Sequence, residues 1–312
     1  MISKNNEQYS VQEMIQANKN KKSAFNLIEK GVPAFLLLCA TVSVATTIGI
    51  LFTLLSETIG FFQNISLTEF YLGTKWSPWT DHFGVAPLIA GTLLITVIAI
   101  CVALPIGLAA AIFLSEYASE RTRKIIKPIL EILAGIPTVV YGFFALTFVS
   151  PMLSNIFTDM NIFNALSGGI VVGVMIIPMI ASLSEDAMNA VPNSLREGAL
   201  GLGATKFEVT RRVVMPAAFS GIIASIVLAI SRAIGETMIV TIAAGATPNL
   251  TIDPTESIQT LTAFIVQGAK GDTSYHSTIY SSIYAVGMTL FVFTLLMNIL
   301  SQYISRRFKE DY

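Results

Sequence analysis

Residues 83–115 read FGVAPLIAGTLLITVIAICVALPIGLAAAIFLS, 33 positions without a single Asp, Glu, Lys, Arg or His. In an α-helix, about 20 apolar residues cross a hydrocarbon core roughly 30 Å thick. This run is therefore long enough to span a membrane. The whole 312-residue chain agrees, because 53% of its residues are hydrophobic, only 12% are charged and its mean hydropathy is +0.68. An ordinary water-soluble domain, in which about a quarter of the residues are charged, is excluded.

Five further stretches have the same character and bring the number of predicted transmembrane helices to six. They cover residues 31–56, 132–158, 160–184, 213–231 (continuing past Arg232) and 277–305. Their Ala, Gly, Ser and Thr content favours helices that pack closely on one another in lipid. The expected fold is an all-α integral membrane protein with a six-span domain at 31–305, an N-terminal tail at 1–30 and a C-terminal tail at 306–312.

Lys and Arg residues are distributed unequally between the two sides of these spans. Sixteen of the nineteen lie in residues 1–30, 116–131, 185–212 and 306–312, whereas Lys75 and Lys270 are alone on the other side and Arg232 falls inside a span. Positively charged segments stay in the cytoplasm. We therefore expect both termini, and the 185–212 loop, to be cytoplasmic. The long polar tail does not fit a cleaved signal peptide, so the first helix is expected to remain.

Several functional classes find no support in the composition. The net charge of −1 supplies no general field for a nucleic acid backbone. Cys39 and Cys101 lie within apolar runs, and His82 and His276 are the only imidazoles, so no metal site is predicted. No phosphate-binding G-x-x-x-x-G-K-[ST] loop occurs, so ATP and Mg²⁺ are not expected to bind this chain.

Proline and glycine positions indicate where the helices bend and touch. Pro105, Pro137 and Pro178 each remove a backbone donor, which predicts a bend in the helix that contains it. Gly169 and Gly173 form a small-xxx-small pair, which favours close contact with a neighbouring helix.

The longest cytoplasmic segment, residues 185–212, reads EDAMNAVPNSLREGALGLGATKFEVTRR. Leu195, Ala199 and Leu202 recur at helical spacing, and glycines at 201 and 203 then interrupt the pattern. Two short helices joined at glycine are predicted, with an apolar knob at 202–207. The knob either contacts a cytoplasmic partner or belongs to a helix that lies on the membrane surface, and the pattern alone does not choose between them.

Two ionisable residues, Arg232 and Glu236, stand in the fifth apolar stretch. Charged residues inside a span usually face a pathway, although the two could neutralise each other across one helical turn, or Arg232 could reach the outer interface. On the functional interpretation the guanidinium binds a tetrahedral oxyanion, and Glu236 orients it while the pathway is empty. A carboxylate that accepts a hydrogen bond from hydrogen phosphate would also disfavour sulfate, which is a further hypothesis.

The cytoplasmic segment resembles the EAA motif of ABC-transporter permeases, whose pattern is E-A-A, three residues, G, nine residues, then I-x-L-P. The matching positions are Glu197, Gly198, Ala199, Gly203, Val213, Met215 and Pro216, of which Gly198, Val213 and Met215 depart conservatively from the pattern. The resemblance implies the type I importer permease fold. It also implies that this segment, including Phe207, forms coupling helices that dock on an ATP-hydrolysing subunit.

Two other segments are similar to the phosphate-specific permeases of the Pst system. They are EILAGIPTVVYGFFAL at 131–146 and SRAIGETMIV at 231–240, and the second is similar to the PstC type of subunit. The resemblance implies phosphate import across the bacterial plasma membrane, with Arg232 and Glu236 on the pathway and no catalysis on this chain. The implied partners are a PstA-like permease subunit, a PstB-like ATPase dimer and a PstS-like phosphate-binding protein on outer residues 57–82 and 237–276.

Three rival functions remain open at this point. A permease for sulfate, molybdate or an amino acid would share the cytoplasmic motif. A secondary transporter or channel that works without an ATPase would make the motif a coincidence. A membrane protein that senses phosphate status through partner kinases is the third, although no residue pattern indicates it.

Overall fold

A computed structural model describes residues 11–271, 274 and 277–307, with side chains from residue 31 to residue 304 within those limits. His276, residues 1–10 of the N-terminal tail and residues 308–312 of the C-terminal tail lie outside the described residues. Helices account for most of the described chain, and the strands form one short hairpin. The chain divides into two compact units, one up to Ser56 and one from Glu57 onward.

The elements follow one another with short connections. The helices are α1 (Val11–Asn64), α2 (Leu67–Leu72), α3 (Ala86–Ile112), α4 (Glu120–Gly135), α5 (Thr138–Phe144), α6 (Ser150–Ser154), α7 (Ala165–Asn189), α8 (Asn193–Gly201), α9 (Lys206–Val209), α10 (Met215–Ala217), α11 (Phe219–Ile234), α12 (Met238–Ala243), α13 (Leu261–Lys270) and α14 (Thr278–Arg307). The strands are β1 (Trp76–Ser77) and β2 (His82–Phe83), which pair antiparallel. Wider π-helical turns follow α3 at Phe113–Tyr117, α5 at Ala145–Val149 and α9 at Thr210–Val214.

Four helices in the described chain are long and apolar enough to cross a membrane: Gly31–Asn64, Ala86–Tyr117, Ala165–Asn189 and Thr278–Ile304. Two further candidates are bent helix pairs. The axis turns by 87° between Glu120–Gly135 and Thr138–Ser154, and by 70° between Lys206–Ala217 and Phe219–Ile234. Six spans result if each bent pair is counted once. The number six and the cytoplasmic termini stay predictions.

The bend predicted at Pro137 is confirmed, and the apolar stretch at 160–184 is helical only in part. In the 132–158 stretch, residues 132–135 belong to α4. The chain then turns at Pro137, which has no backbone N–H to continue the hydrogen bonds of α4, and α5 begins at the next residue. In the 160–184 stretch the helix begins only at Ala165, because the Asn164 side chain accepts the backbone N–H of Ser167 and caps α7. Pro105 and Pro178, by contrast, lie inside the continuous helices α3 and α7.

Helix α7 is the centre of the main core. Its buried residues pack with those of α3, α11 and α12 in one apolar cluster, which includes Ile95, Ala99, Val172, Ile176 and Ile180. The predicted contact at Gly169 and Gly173 is confirmed, because both glycines face α3. A Cβ atom added at Gly169 would lie 2.7 Å from Ile98 Cβ, and one added at Gly173 would lie 2.8 Å from the Ala99 carbonyl oxygen.

A second core, around the β1–β2 hairpin and α13, is mainly aromatic. Phe61, Phe70, Trp76, Phe83 and Phe264 pack edge to face, with the Trp76 and Phe264 ring centroids 4.7 Å apart. Edge-to-face contact adds stability beyond the burial of apolar area. This core anchors the hairpin and α13, which belong to the stretches predicted to face outside.

The glycine contact predicts opposite effects of the same substitution at two positions. Ala is a better helix former than Gly by about 1 kcal/mol, but at Gly173 the new methyl group would overlap the backbone of α3. We expect Gly173→Ala to lower the midpoint of thermal unfolding in detergent. At Gly49 of α1 an added Cβ meets no described atom within 4 Å, so Gly49→Ala is the matched control and should not lower the midpoint. Equal midpoints for the two variants would contradict the close packing of α3 and α7.

Candidate functional site

A cavity of about 650 Å³ lies between α4, α7 and α11. This volume is within the range of small-molecule sites. Apolar side chains such as Met175, Met179 and Leu228 form much of its wall. Its charged lining residues are Lys127, Glu131, Glu185, Asp186 and Arg232. The cavity therefore contains the intramembrane arginine that the sequence singled out.

Arg232 lines this cavity near the middle of α7. Helices α7 and α11 are joined by a buried hydrogen bond between the Ser184 and Ser225 hydroxyls, which are 2.7 Å apart. Arg232 follows Ser225 by seven residues, which is about 10 Å along a helix. Because α11 returns along α7, Arg232 is level with Pro178, near the middle of α7, whereas Glu185 and Asp186 lie at the end of α7 that leads to the cytoplasmic segment.

An ion cluster closes the side of the cavity near Glu185. The Glu185 carboxylate is fully buried and pairs with two cations of α4, with 2.6 Å from Oε1 to Arg123 Nη2 and 3.1 Å from Oε2 to Lys127 Nζ. Lys127 Nζ also lies 3.9 Å from Asp186 Oδ1. A buried carboxylate needs such partners, because an unpaired charge in the interior is strongly destabilising. The cluster fastens α4 to α7.

Arg232 and Glu236 do not share one helix, and the expectation that they do is wrong. Helix α11 ends at Ile234, and the chain turns at Gly235 before α12 begins at Met238. Among the ion pairs formed by the described residues, none joins Arg232 to Glu236. The guanidinium is exposed to the cavity, whereas the Glu236 side chain is 7% exposed. Neither mutual neutralisation nor orientation of Arg232 by a direct ion pair fits this geometry.

Glu236 instead holds the helix break together. Its Oε1 atom accepts the backbone N–H groups of Met238 and Ile239, at 3.1 and 3.2 Å, and so caps the start of α12. Its own carbonyl oxygen accepts the Thr262 hydroxyl at 2.7 Å, which ties the break to α13. Backbone groups freed by a helix break in a membrane require such replacement partners. Glu236 therefore fixes the direction in which the chain leaves Arg232.

The segment at 185–212 forms the two short helices that were predicted, α8 and α9. They are joined at Gly203, whose φ of +86° is a left-handed conformation that glycine adopts without strain. The predicted knob is exposed, with Leu202 92% and Phe207 62% accessible. The predicted start of the segment is corrected, because residues 185–189 are the last turn of α7.

Local hydrogen bonds fix the start of α9. The Thr205 hydroxyl accepts the Glu208 backbone N–H, and Glu208 Oε2 accepts the Thr205 backbone N–H at 2.9 Å, a reciprocal capping box. The hydrogen bonds from the Thr205 backbone and hydroxyl lower the pKa of the Glu208 carboxyl below its usual value. At the same end, Lys206 Nζ lies 5.2 Å from the centre of the Tyr117 ring, which follows α3. The knob is therefore presented by an ordered turn.

Arg196 connects α8 to the membrane helices. Its guanidinium donates to the carbonyl oxygens of Met188 and Val191, at 2.7 and 2.5 Å, where α7 ends. The same group pairs with Glu116 Oε1 at 3.1 Å, in the π-helical turn that follows α3. Glu116 is 6% exposed. One side chain thus joins the ends of α3 and α7 to α8.

The coupling residues predicted from the EAA-like motif lie on α8, α9, α10 and the joint between α8 and α9. Glu197, Gly198 and Ala199 lie on α8, Gly203 lies at the joint, Phe207 on α9 and Pro216 on α10. Five charged residues that were not predicted from the sequence pair in two groups, Glu185 with Arg123 and Lys127, and Glu116 with Arg196. The four-residue spacing of Arg123 and Lys127 next to an apolar stretch was a usable signal, because it places two cations on one helical face.

Comparison with known proteins identifies the kind of chain to which this geometry belongs. Residues 103–310 match the family described as binding-protein-dependent transport system inner membrane component. The chain belongs to this family. It is 37% identical over 276 residues to a probable ABC transporter permease protein, YqgH, of Bacillus subtilis, with 87% of this chain and 89% of the relative covered. It is 35% identical over 259 residues to the phosphate transport system permease protein PstC of Mesorhizobium japonicum, with 77% and 78% covered.

Solved structures of this kind share the fold. A chain of the bacterial alginate ABC transporter, crystallised with an alginate-bound periplasmic protein, superposes with a TM-score of 0.63 at 19% identity, covering 92% of this chain and 98% of that one. A chain of the inward-facing methionine ABC transporter MetNI gives a TM-score of 0.54 at 19% identity, covering 76% and 100%. The predicted ABC permease fold, the inner-membrane location and the resemblance to the PstC permeases are confirmed. The family match favours the ABC class over a transporter or channel that works without an ATPase.

The cap made by Glu236 predicts that hydrogen-bond acceptance matters more for folding than charge. Gln retains a side-chain oxygen that can accept the two N–H groups, and Ala does not. We expect Glu236→Ala to lower stability by about 1 kcal/mol, and Glu236→Gln to lie close to the wild type. Thermal unfolding in detergent measures both. A Gln variant as unstable as the Ala variant would mean that the negative charge, rather than the cap, holds the break.

The Arg196 contact predicts a strong coupling between two positions. Arg196→Met leaves Glu116 buried without a cation, and breaking a buried pair costs about 3 kcal/mol. Replacing both partners, as Arg196→Met with Glu116→Leu, removes the unpaired charge and should restore part of that loss. A double-mutant cycle on thermal unfolding measures the coupling, and additive effects would contradict it. Arg211→Met, at an exposed arginine in the turn after α9, is the matched control.

Proposed function

We propose that this chain is the PstC-like half of the membrane pathway of an ATP-driven importer of inorganic phosphate. The observation that carries the proposal is Arg232, whose exposed side chain lines the cavity between α4, α7 and α11. The two relatives described above support the class, and the Mesorhizobium protein is named for phosphate transport.

The chemistry of the cavity suits an anion that is bound only briefly. Arg232 presents a planar set of donors that matches a tetrahedral oxyanion, and no ion pair among the described residues occupies it. The lower dielectric of a cavity strengthens this attraction relative to water. Three carboxylates, those of Glu131, Glu185 and Asp186, line the same cavity. Two of them, Glu185 and Asp186, pair with cations of α4, which leaves the guanidinium of Arg232 available to an anion.

ATP hydrolysis enters this scheme from outside the chain. A PstB-like ATPase dimer would bind ATP and Mg²⁺ and receive Leu202 and Phe207 in a cleft on its surface. Its closure would move α8, and Arg196 would pass that movement to the ends of α3 and α7. Because α7 forms one wall of the cavity, a shift of α7 changes the access to Arg232. No chemical step takes place on this chain.

The remaining partners complete the pathway. A PstA-like permease would supply the second half of the membrane domain. A PstS-like binding protein would dock on the outer stretches 57–82 and 237–276 and deliver phosphate. Glu236 contributes by fixing the end of α11, and thereby the position of Arg232. The hypothesis that the Glu236 carboxylate itself selects hydrogen phosphate over sulfate is tested by comparing the two anions in Glu236→Gln.

Transport in proteoliposomes tests cargo, energy source and site together. The chain is assembled with its permease partner, ATPase and binding protein, and uptake of labelled phosphate is measured with and without ATP against labelled sulfate. Loss of a charge-assisted hydrogen bond in Arg232→Ala should weaken phosphate uptake roughly 10- to 100-fold. Arg232→Lys should be intermediate, because lysine keeps the charge but lacks the planar fork.

The outcomes separate the alternatives. ATPase activity that is retained in Arg232→Ala shows that the complex has assembled, so a loss of uptake then reports on the pathway. Sulfate uptake equal to that of phosphate would contradict the cargo and favour an importer for other oxyanions. Uptake without ATP would contradict the energy source. Selective uptake that survives in Arg232→Ala would assign Arg232 a structural role.

A further inference from the structure

Helix α4 has one charged face and one apolar face. Its charged face lies toward α7 and its apolar face is exposed, which is the reverse of a surface helix on a water-soluble protein. None of its residues is buried. Arg123 and Lys127 point toward α7, where they pair with Glu185, and Leu130 and Ala134 line the cavity on that side. Ile125, Ile129 and Ile132 are 64%, 54% and 68% exposed. At 100° per residue these three isoleucines share the face opposite to the ion cluster.

An exposed stripe of isoleucines requires an apolar covering, and the geometry of the chain indicates lipid. After α4 the axis turns by 87° into the Thr138–Ser154 segment, which is one arm of a candidate span. If that arm crosses the membrane, α4 lies close to the membrane plane. Val140, Phe143 and Phe144 at the start of the arm are also exposed, so the apolar surface continues from one helix to the next. An amphipathic helix in the interface buries its apolar face among acyl chains.

The charges on α4 favour anionic lipid. Besides the two cations that pair with Glu185, the helix carries Arg121 and Lys124, which are exposed and form no ion pair with a described residue. The distribution of Lys and Arg along the chain assigns this end of the helix pair to the cytoplasm. The cytoplasmic leaflet has a negative surface potential that attracts basic residues near a membrane-inserted segment.

We propose that α4 is an interfacial helix that inserts its isoleucine face into the inner leaflet and binds anionic phospholipid headgroups through Arg121 and Lys124. The bound headgroups contact the exposed surface of α4, and the opposite surface of the same helix forms a wall of the cavity. Anionic lipid therefore holds that wall in position. The proposal rests on the membrane family of the chain and not on the identity of its cargo.

Depth measurements in lipid nanodiscs test the insertion. Ile129→Cys is introduced after Cys39→Ala and Cys101→Ala, labelled with a polarity-sensitive fluorophore and examined in the assembled importer with its partner subunits. We expect quenching by lipids that carry a nitroxide near the headgroup. Leu202→Cys, on the exposed cytoplasmic knob, is the matched control and should not be quenched. A probe at position 129 that is shielded from lipid and from water would show that a protein subunit covers the face, and would overturn the proposal.

Lipid selectivity tests the headgroup contact. The Arg121→Gln/Lys124→Gln variant is compared with Arg211→Gln/Arg212→Gln, which removes the same charge from an exposed cytoplasmic site. Native mass spectrometry counts the phosphatidylglycerol and phosphatidylcholine molecules retained from nanodiscs that contain both. Each basic residue contributes about 1 kcal/mol, so the first variant should lose phosphatidylglycerol preference by roughly 5- to 30-fold. Equal loss in both variants, or none in the first, would overturn the headgroup site.

Neither measurement depends on phosphate transport. If uptake proves selective for another anion, the depth and lipid counts still decide whether α4 binds the membrane surface. If α4 proves to be covered by protein, the transport experiment still decides the cargo. The two proposals therefore fail separately.

Discussion

The packing of α7 against its neighbours is the constraint on which the rest of the structure depends. Glycines on one face bring α3 so close that an added methyl group would overlap its backbone. A buried serine pair joins α7 to α11, and the buried Glu185 carboxylate joins it to α4. In lipid, where no hydrophobic force drives helices together, close van der Waals packing and polar contacts of this kind provide the association. The cavity that contains Arg232 is the space left between helices placed by α7.

Helix breaks concentrate around that cavity, and each has a physical support. At Pro137 a missing donor allows the chain to turn, and at Gly235 the Glu236 carboxylate replaces the lost helical acceptors. Irregular backbone at membrane depth is tolerated where protein groups satisfy it. The breaks separate Arg232 from Glu236 and leave the guanidinium facing the cavity. A continuous helix would have placed the two charges one turn apart and favoured their mutual neutralisation.

The segment with the EAA-like pattern is bonded directly to the helices around the cavity. Arg196 bonds to the ends of α3 and α7 and belongs to α8, whose end leads into the exposed knob. Helix α8 is therefore bonded to the same α7 that lines the cavity. The motif that suggested docking is a local pattern and was predictable. The arginine that carries the connection bonds to residues up to 80 positions away, and no local pattern indicates such a partner.

The sequence by itself determined the features that depend on neighbouring residues in the chain: the membrane segments, the joints between helices and the motif. Runs without charge identify membrane segments because burying charge in lipid is costly, glycine and proline mark joints, and the EAA-like spacing indicates the coupling helices and the family. Only the tertiary structure decided which charges meet. It assigned Glu185 to Arg123 and Lys127, Glu116 to Arg196, and Glu236 to backbone rather than to Arg232. Those partners are chosen by the packing of helices far apart in the chain, and hydropathy along one segment carries no information about that packing.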